Sequence, residues 1–419
     1  MPKNNVIMRY FLTMICASLL LISCKDNDEF TDPGAGDPAI YPKAERTVIV
    51  YISAENNLSS FVSGDISEMA KGSEQMPANT NLIAFVDKSE KTRAPYILRI
   101  KDGKAETDTY YENETDFYAS DPERMYETLH WIMTRYPAET YGLVLWGHAS
   151  GWIMEKDSLP ATLGNRPQKA YGVDYGSDQA DGMGQRWMNI PSMARALERL
   201  PHRLLFIFAD CCNFQNAEVA YELRNATDYL IASPAEIPNV GAPYDKIVPD
   251  MFSPAEDFYR LMVDDYHAMT TGAGEHVPLA VVKTSEMENL AKATRRAIVV
   301  LARNGEPDTK NMIYYRLTRR GGNVKIMFDM NDMILRNIGD DEAYRLWKTA
   351  YDRAVVYRSM SGRWMTDRLV TFDFDVTEER FGGMSMFVPL EIYDDNGYDF
   401  NQTIGRMSWY HAAGVYIML

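Results

Sequence analysis

From residue 46 onward the chain alternates between uninterrupted apolar runs and segments of helical spacing, and this constrains the fold more than any other feature. The runs are RTVIVYIS (46–53), TNLIAFVD (80–87), APYILRI (94–100), YGLVLWG (141–147), RLLFIFAD (203–210) and DYLIAS (228–233). A strand that is apolar without period-two relief is buried on both faces, as in a parallel sheet covered by helices. The intervening SGDISEMAKGSEQM, SDPERMYETLHWIMTRYP, MNIPSMARALERL and NAEVAYELRNA have helical spacing, and Ser120-Asp121-Pro122 supplies a cap and a first-turn proline for the second of them. The expected class is therefore α/β, a mostly parallel sheet flanked by helices over 46–270. Beyond it, SEMENLAKATRRAIVVLARNG and DEAYRLWKTAYDRAVVYRSM read as helices, and RLVTFDFDV and GGMSMFVPL as strands. Residues 271–419 are thus read as a C-terminal α+β extension packed on the core.

The first residues are a separate object. Lys3 and Arg9 precede the apolar YFLTMICASLLLIS, which is too short to span a bilayer and ends at Leu21-Ile22-Ser23-Cys24. This resembles a bacterial lipobox, with residues 1–23 a lipoprotein signal peptide and Cys24 the lipidated residue. A plain signal peptide cut nearby is the simpler alternative. Residues 24–45, acidic and rich in Pro and Gly, read as a flexible tether, and the acidic residues behind Cys24 resemble the export signal of some surface lipoproteins. The resemblance implies an extracytoplasmic protein anchored to a membrane, the outer membrane or the cell surface. A formal charge of −16 with no clustering of Lys and Arg argues against a nucleic-acid partner.

Four cysteines occur in all. Cys16 leaves with the signal and Cys24 carries lipid, so the folded part keeps only Cys211 and Cys212, and no disulfide framework can be drawn. A bond between these neighbours is disfavoured, because disulfides prefer Cα separations of about 5.5–6 Å and adjacent Cα atoms sit about 3.8 Å apart. In doubly wound sheets ligands sit beyond the carboxyl ends of the strands. Two strand ends stand out here, one at Gly147-His148 and one at Asp210-Cys211-Cys212. A cysteine becomes a nucleophile when a base or positive potential ionises it, and His148 is placed to be that base if the two strands are neighbours. The helix expected from about Gln215 would aim its N-terminal amides at Cys212, and the backbone amides of Cys212 and Ala149 could hold an oxyanion. The plainer reading is two buried, inert cysteines.

The segments LWGHASGW, FADCCNFQNAEVAYEL and YLIASPAEIPNVGAPYD resemble the clostripain-like cysteine peptidases, whose fold is that of the caspases. The pattern there is Trp-x-His-Gly-x-Gly-Trp, then Asp-x-Cys, then a strand ending ASxExIPxxGxxYD. VIVYISAENNLSSFVSGDISEM and FGGMSMFVP look like further family elements, so the resemblance covers about residues 46–419. It implies a caspase-like sheet, His148 and Cys212 as the catalytic pair, and Cys211 in the variable middle position. It implies Asp210 near the floor of the S1 pocket, hence cleavage of protein or peptide substrates after Arg or Lys; a helix cap is the simpler role for such an aspartate. The family Gly after the histidine is Ala149 here, which narrows the backbone if that position needs φ > 0. Asn213-Phe214 replaces a more usual apolar pair.

The other five histidines, His130, His202, His267, His276 and His411, lack metal-ligand spacing, so no metal site is expected and no cofactor is required. The acidic loop with Asp174, Asp178 and Asp181 could take calcium, on which some family members depend, although a solvated turn explains it as well. The 153–172 loop is long for a connection inside a domain. Family members can cut themselves in this region, with Lys156, Arg166 and Lys169 the candidates here. The rival functions are an inactive surface lipoprotein that binds a peptide or glycan, and a different thiol hydrolase using the same pair.

Overall fold

The β-branched run at the head of the alternation forms β1 (Ala44–Ala54) in a computed structural model. The structure describes residues 40–89, 94–110, 117–154, 170–175, 185–315, 325–364 and 372–419. The chain divides into two units, Met1–Thr31 and Asp32–Leu419, and every described residue lies in the second. The remaining strands are β2 (Thr80–Lys88), β3 (Tyr96–Lys101), β4 (Lys104–Tyr110), β5 (Ala138–Gly147), β6 (Tyr171–Asp174) and β7 (Arg186–Met188), followed by β8 (Leu204–Asp210), β9 (Thr227–Ala232), β10 (Leu279–Lys283), β11 (Phe328–Asp329), β12 (Val355–Ser359) and β13 (Ser385–Met386). Helices α1 (Val62–Ser73), α2 (Pro122–Arg135), α3 (Ile190–Glu198), α4 (Ala217–Glu222) and α5 (Tyr244–Met251) precede α6 (Phe258–Gly272), α7 (Met287–Leu301), α8 (Met330–Asn337) and α9 (Asp341–Ala354).

Nine strands form one sheet in the order β12-β10-β9-β8-β5-β1-β2-β3-β4. The five from β9 to β2 are parallel, and antiparallel strands close both edges. Val48, Val50 and Ile52 on one face of β1 and Ile49 and Tyr51 on the other are all fully buried, as continuous apolar strands require. The first set joins a core with Val62 and Met69 of α1, Ile247, Val248 and Met251 of α5, and Phe258, Met262 and Val263 of α6. On the opposite face α2, α3, α4 and α7 each touch the next. Each buried Val, Ile or Leu of these layers contributes roughly 1.5–3 kcal/mol. Helix α2 starts as its sequence indicates: Asp121 accepts from the amides of Glu123 (2.8 Å) and Arg124 (3.4 Å), and Pro122 opens the first turn.

Two departures come from the last third. The run 341–360, expected to be wholly helical, ends its helix at Ala354 and continues as β12, which pairs with β10. Val355, Val356 and Tyr357 favour a pleated, half-buried surface, and the sheet edge supplies one. Within RLVTFDFDV, residues 372–376 are not strand, and GGMSMFVPL contributes only β13. That late segment braces the core: Ser385 N–H donates to Gln215 O (3.1 Å) and Phe387 N–H to Glu218 Oε1 (2.8 Å).

From β1 the chain passes through α1 to β2 on one side, then returns through the β3–β4 hairpin and α2 to β5 on the other. Strand order therefore reverses at the β1/β5 boundary. In such sheets that is where the crevice at the carboxyl ends opens.

Candidate active site

Three strand ends meet at this crevice. Ser53 of β1 pairs in register with Gly147 of β5, and Trp146 of β5 with Asp210 of β8. Just past the ends of these neighbouring strands lie His148, the residue after β5, and Cys212, two residues after β8. The two cysteines differ in setting. Cys211 is 1% exposed, and burial pushes its thiol well above the ordinary range. Cys212 is partly exposed, with Sγ 3.8 Å from Ile237 O.

The turn carrying Cys212 is tightly made. Asn213, at φ +52, takes the left-handed conformation that Asn tolerates. Its amide donates to Ala235 O (2.9 Å), and its side-chain NH₂ donates to Pro234 O (3.0 Å). Asn216 donates to Asn213 O (2.8 Å) and caps α4 by accepting from Val219 N (3.3 Å). The helix thus begins at Ala217, not near Gln215, and its first turn is separated from Cys212 by the Asn213–Asn216 turn. Asp210 is not its cap.

The backbone after His148 answers the question raised by Ala149. Ala149 does not have a positive φ; Gly147 (+149°) and Gly151 (+62°) do. A Cβ on Gly151 would lie 2.2 Å from Asn216 Nδ2 and 2.6 Å from Asn213 O. Glycine is therefore demanded at 151, and alanine is tolerated at 149. Ser150 N donates to Ala170 O (3.0 Å) and Gly172 N to His148 O (2.8 Å), which stitches this segment to β6.

His148 is half-exposed, and its Nε2 lies 2.9 Å from Asn57 Oδ1. Asn57 follows the end of β1 and carried no signal in the sequence. Neither did Asp65 on α1, the second acid of a buried pair with Asp210. Asp210 is 3% exposed and accepts from Ala242 N (3.1 Å), Tyr244 OH (2.8 Å) and Tyr266 OH (3.5 Å). Burial raises its carboxyl to about 6 despite those bonds. Asp65 is 4% exposed and accepts from Trp146 Nε1 (2.6 Å). Burial, then the Asp210 charge, raises its carboxyl to about 8, and Glu68 adds in the same direction. Gly241 packs over both: a Cβ there would sit 2.9 Å from Asp210 Oδ2 and 3.5 Å from Asp65 Oδ2.

Elsewhere, Asp174 groups with Glu55 and Asp87, their ligand oxygens all within 4.8 Å and all three residues buried. An oxygen-only set of this kind suits a hard cation such as calcium. The calcium expectation thus meets only one of its residues, since Asp178 and Asp181, like Cys24, Lys156, Arg166 and Lys169, fall outside the described residues. His202 stacks on Tyr141 (5.0 Å), His267 Nδ1 lies 3.2 Å from Val277 O, and His411 Nε2 lies 2.8 Å from Gly405 O, all structural roles.

A mostly parallel sheet that brings a histidine and a partly exposed cysteine to adjacent strand ends defines a caspase-like α/β protein. The clostripain family model matches residues 50–365, and the chain belongs to that family of cysteine peptidases. Clostripain from Hathewaya histolytica is 28% identical over 231 residues, 48% of this chain and 41% of that relative. The chain thus matches about two fifths of clostripain's length. A secreted C11 cysteine protease from Bacteroides thetaiotaomicron, solved with an irreversible peptide inhibitor, superposes with a TM-score of 0.70 at 28% identity, covering 88% of this chain and 99% of that one. An inactive zymogen C11 protease from Parabacteroides distasonis gives a TM-score of 0.70 at 25% identity, covering 90% and 99%.

Proposed function

We propose that this chain is a cysteine endopeptidase that cleaves proteins or peptides after Arg or Lys, with Cys212 as nucleophile and His148 as its base. The observation that supports this reading is the parallel pairing of β5 with β8, whose adjacent ends lead into His148 and Cys212, with Cys211 buried. The imidazole takes the thiol proton, the thiolate attacks the scissile carbonyl carbon, and the imidazolium returns the proton to the leaving amine. Water then hydrolyses the thioester by the same proton path. The amides of Ala149 and Cys212 stabilise the oxyanion; no described group accepts from the Ala149 amide.

Asp210 supplies the floor of S1. The charged groups acting on the Asp65–Asp210 pair are acidic, Glu68 included, so a basic P1 side chain would complete the charge balance. Self-cutting in the 153–172 loop, after Lys156, Arg166 or Lys169, follows from the same preference. Export and anchoring through Cys24 rest on the resemblance of the leader to a lipobox. Among the described residues no helix is long and apolar enough to cross a membrane. Metabolic labelling with a fatty acid, lost in Cys24→Ala, tests the anchor.

The function is tested with fluorogenic Arg, Lys, Asp and Leu peptides. Hydrolysis of the first two, abolished by Cys212→Ala and retained by Cys211→Ala, is expected. No hydrolysis of any peptide would leave the binding lipoprotein, and hydrolysis indifferent to P1 would point to a different thiol hydrolase.

A further inference from the structure

Side chains two apart on a strand point to one face of the sheet. Phe208 of β8 and Cys212 just past it both pack against the core that α1, α5 and α6 cover, so Asp210 between them belongs to that face. Trp146 of β5 lies in the same core, and its Nε1–H donates to Asp65 Oδ2 (2.6 Å). Asp65 thus approaches from α1 the place that Asp210 approaches from β8. Oδ2 of each acid borders the space that a side chain at residue 241 would fill, 2.9 Å from its Cβ for Asp210 and 3.5 Å for Asp65. Glycine keeps that space open.

The two acids are unequally satisfied. Asp210 accepts from Ala242 N, Tyr244 OH and Tyr266 OH, whereas Asp65 Oδ1 accepts from no described residue. Among the described residues neither acid has an Arg, Lys or His partner. A buried carboxyl with one donor and no counter-charge costs folding stability. A ligand that brings the missing charge accounts for it.

We propose that Asp65 is a second specificity-determining carboxyl of S1, which with Asp210 brackets the cationic end of an Arg or Lys at P1. The proposal rests on the basic-P1 reading above and is independent of which group activates Cys212. Two like charges buried together do not both ionise, so the free pair holds a proton. Burial, then the Asp210 charge, raises Asp65 to about 8, and burial raises Asp210 to about 6. The titratable groups around the pair are Glu68 of α1, Tyr244 of α5, Tyr266 of α6, and Cys211 and Cys212 past β8. None of these supplies positive charge. An entering guanidinium or ammonium does; the Asp65 proton then leaves for solvent, and Oδ1 accepts an N–H of the ligand. Gly241 N–H closes a turn on Pro238 O (3.0 Å) whose tip, Asn239 and Val240, is exposed. The pair opens to P1 when this turn moves.

The test is calorimetry on the full-length Cys212→Ala protein, which binds without cutting. The ligands are an acetylated tripeptide ending in arginine amide and its norleucine counterpart. Titrations in buffers of different ionisation enthalpy count released protons. The arginine peptide should release about one proton at pH 7, and its affinity should rise by up to about tenfold per pH unit between roughly 6 and 8. The norleucine peptide should do neither. Asp65→Asn in that background should abolish the release and flatten the pH dependence. At about pH 8 it should weaken the arginine peptide about 10- to 100-fold, and in the active enzyme it should lower kcat/KM for Arg and Lys substrates as much. If Asp65→Asn keeps the affinity within twofold and still releases the proton, while Asp210→Asn loses both, the role of Asp65 is overturned and basic specificity stands. Tight binding of the arginine peptide with no proton released by the parent, a measurement that leaves residue 65 unaltered, overturns it equally. If the parent binds the arginine and norleucine peptides alike, the basic-P1 reading itself fails.

Discussion

Replacing Gly151 by Ala is the smallest change that should dismantle the turn that carries Cys212. The added Cβ would meet Asn216 Nδ2 at 2.2 Å and Asn213 O at 2.6 Å, on a residue whose φ is +62°. A side chain in the left-handed region costs roughly 1 kcal/mol. Displacing Asn216 removes the cap of α4, about 1 kcal/mol more, and crowding a packed site costs about 1–3 kcal/mol. The sum is about 3–5 kcal/mol, a large share of the ~5–15 kcal/mol that holds a domain folded. The strain falls on the turn that presents Cys212, where a shift of about 1 Å can cost ~100-fold in rate. Denaturant unfolding should show the loss of stability at an unchanged m-value, and kcat/KM on an arginyl substrate should fall more than tenfold. Ala149→Gly, at a position without positive φ, should change stability by no more than about 1 kcal/mol. Gly151→Ala with stability within 1 kcal/mol of the parent and full activity would refute the crowding at 151.

Three further perturbations probe the acids and the loop. Asp65, raised from 3.8 to about 8 by burial and then by Asp210, keeps in the folded state a proton that the unfolded chain releases. Stability contributed there is present below the ordinary carboxylate range and declines as pH rises toward 8. Asp65→Asn, which still accepts from Trp146, should flatten that decline by on the order of 3–5 kcal/mol, read from unfolding midpoints at pH 5 and pH 8.5; an unchanged slope would count against the buried pair. Asp210→Asn should lower kcat/KM for Arg and Lys substrates roughly 10- to 100-fold, the worth of a charge-assisted bond, and leave small neutral P1 residues little affected. Replacing Lys156, Arg166 and Lys169 together should leave the purified enzyme as one uncut chain on a denaturing gel; a cut that persists would place the processing elsewhere.

The core strands were legible because burial on both faces writes itself as an uninterrupted apolar run, and β1, β2, β5, β8 and β9 all carry one. His148 and Cys212, the proposed base and nucleophile, stood out from their places just past two such strand ends. Strand β4, KAETDTY, lies at the sheet edge and is largely exposed, so no apolar pattern marked it. Its signal was in the turn: Asp102 at φ +50 and Gly103 at φ +77 form a two-residue hairpin of the kind Asp-Gly favours. Strand β12 was hidden because Val355 and Val356 also fit the helical spacing of the segment before them, and only the edge of β10 decides between the two. Asn57 and Asp65 are polar residues in ordinary local context. Their partners are His148, just past β5, and Trp146 of β5, so these contacts appear only once the parallel strands are side by side.

The most direct test labels the protein with an arginyl or lysyl peptide ketone that alkylates an ionised active-site sulfur, then maps the adduct by mass spectrometry. The account predicts one adduct per chain, on Cys212, prevented by His148→Ala and by competing basic peptide. An adduct on Cys211, or labelling of Cys212 that ignores both the histidine and the competitor, would contradict it.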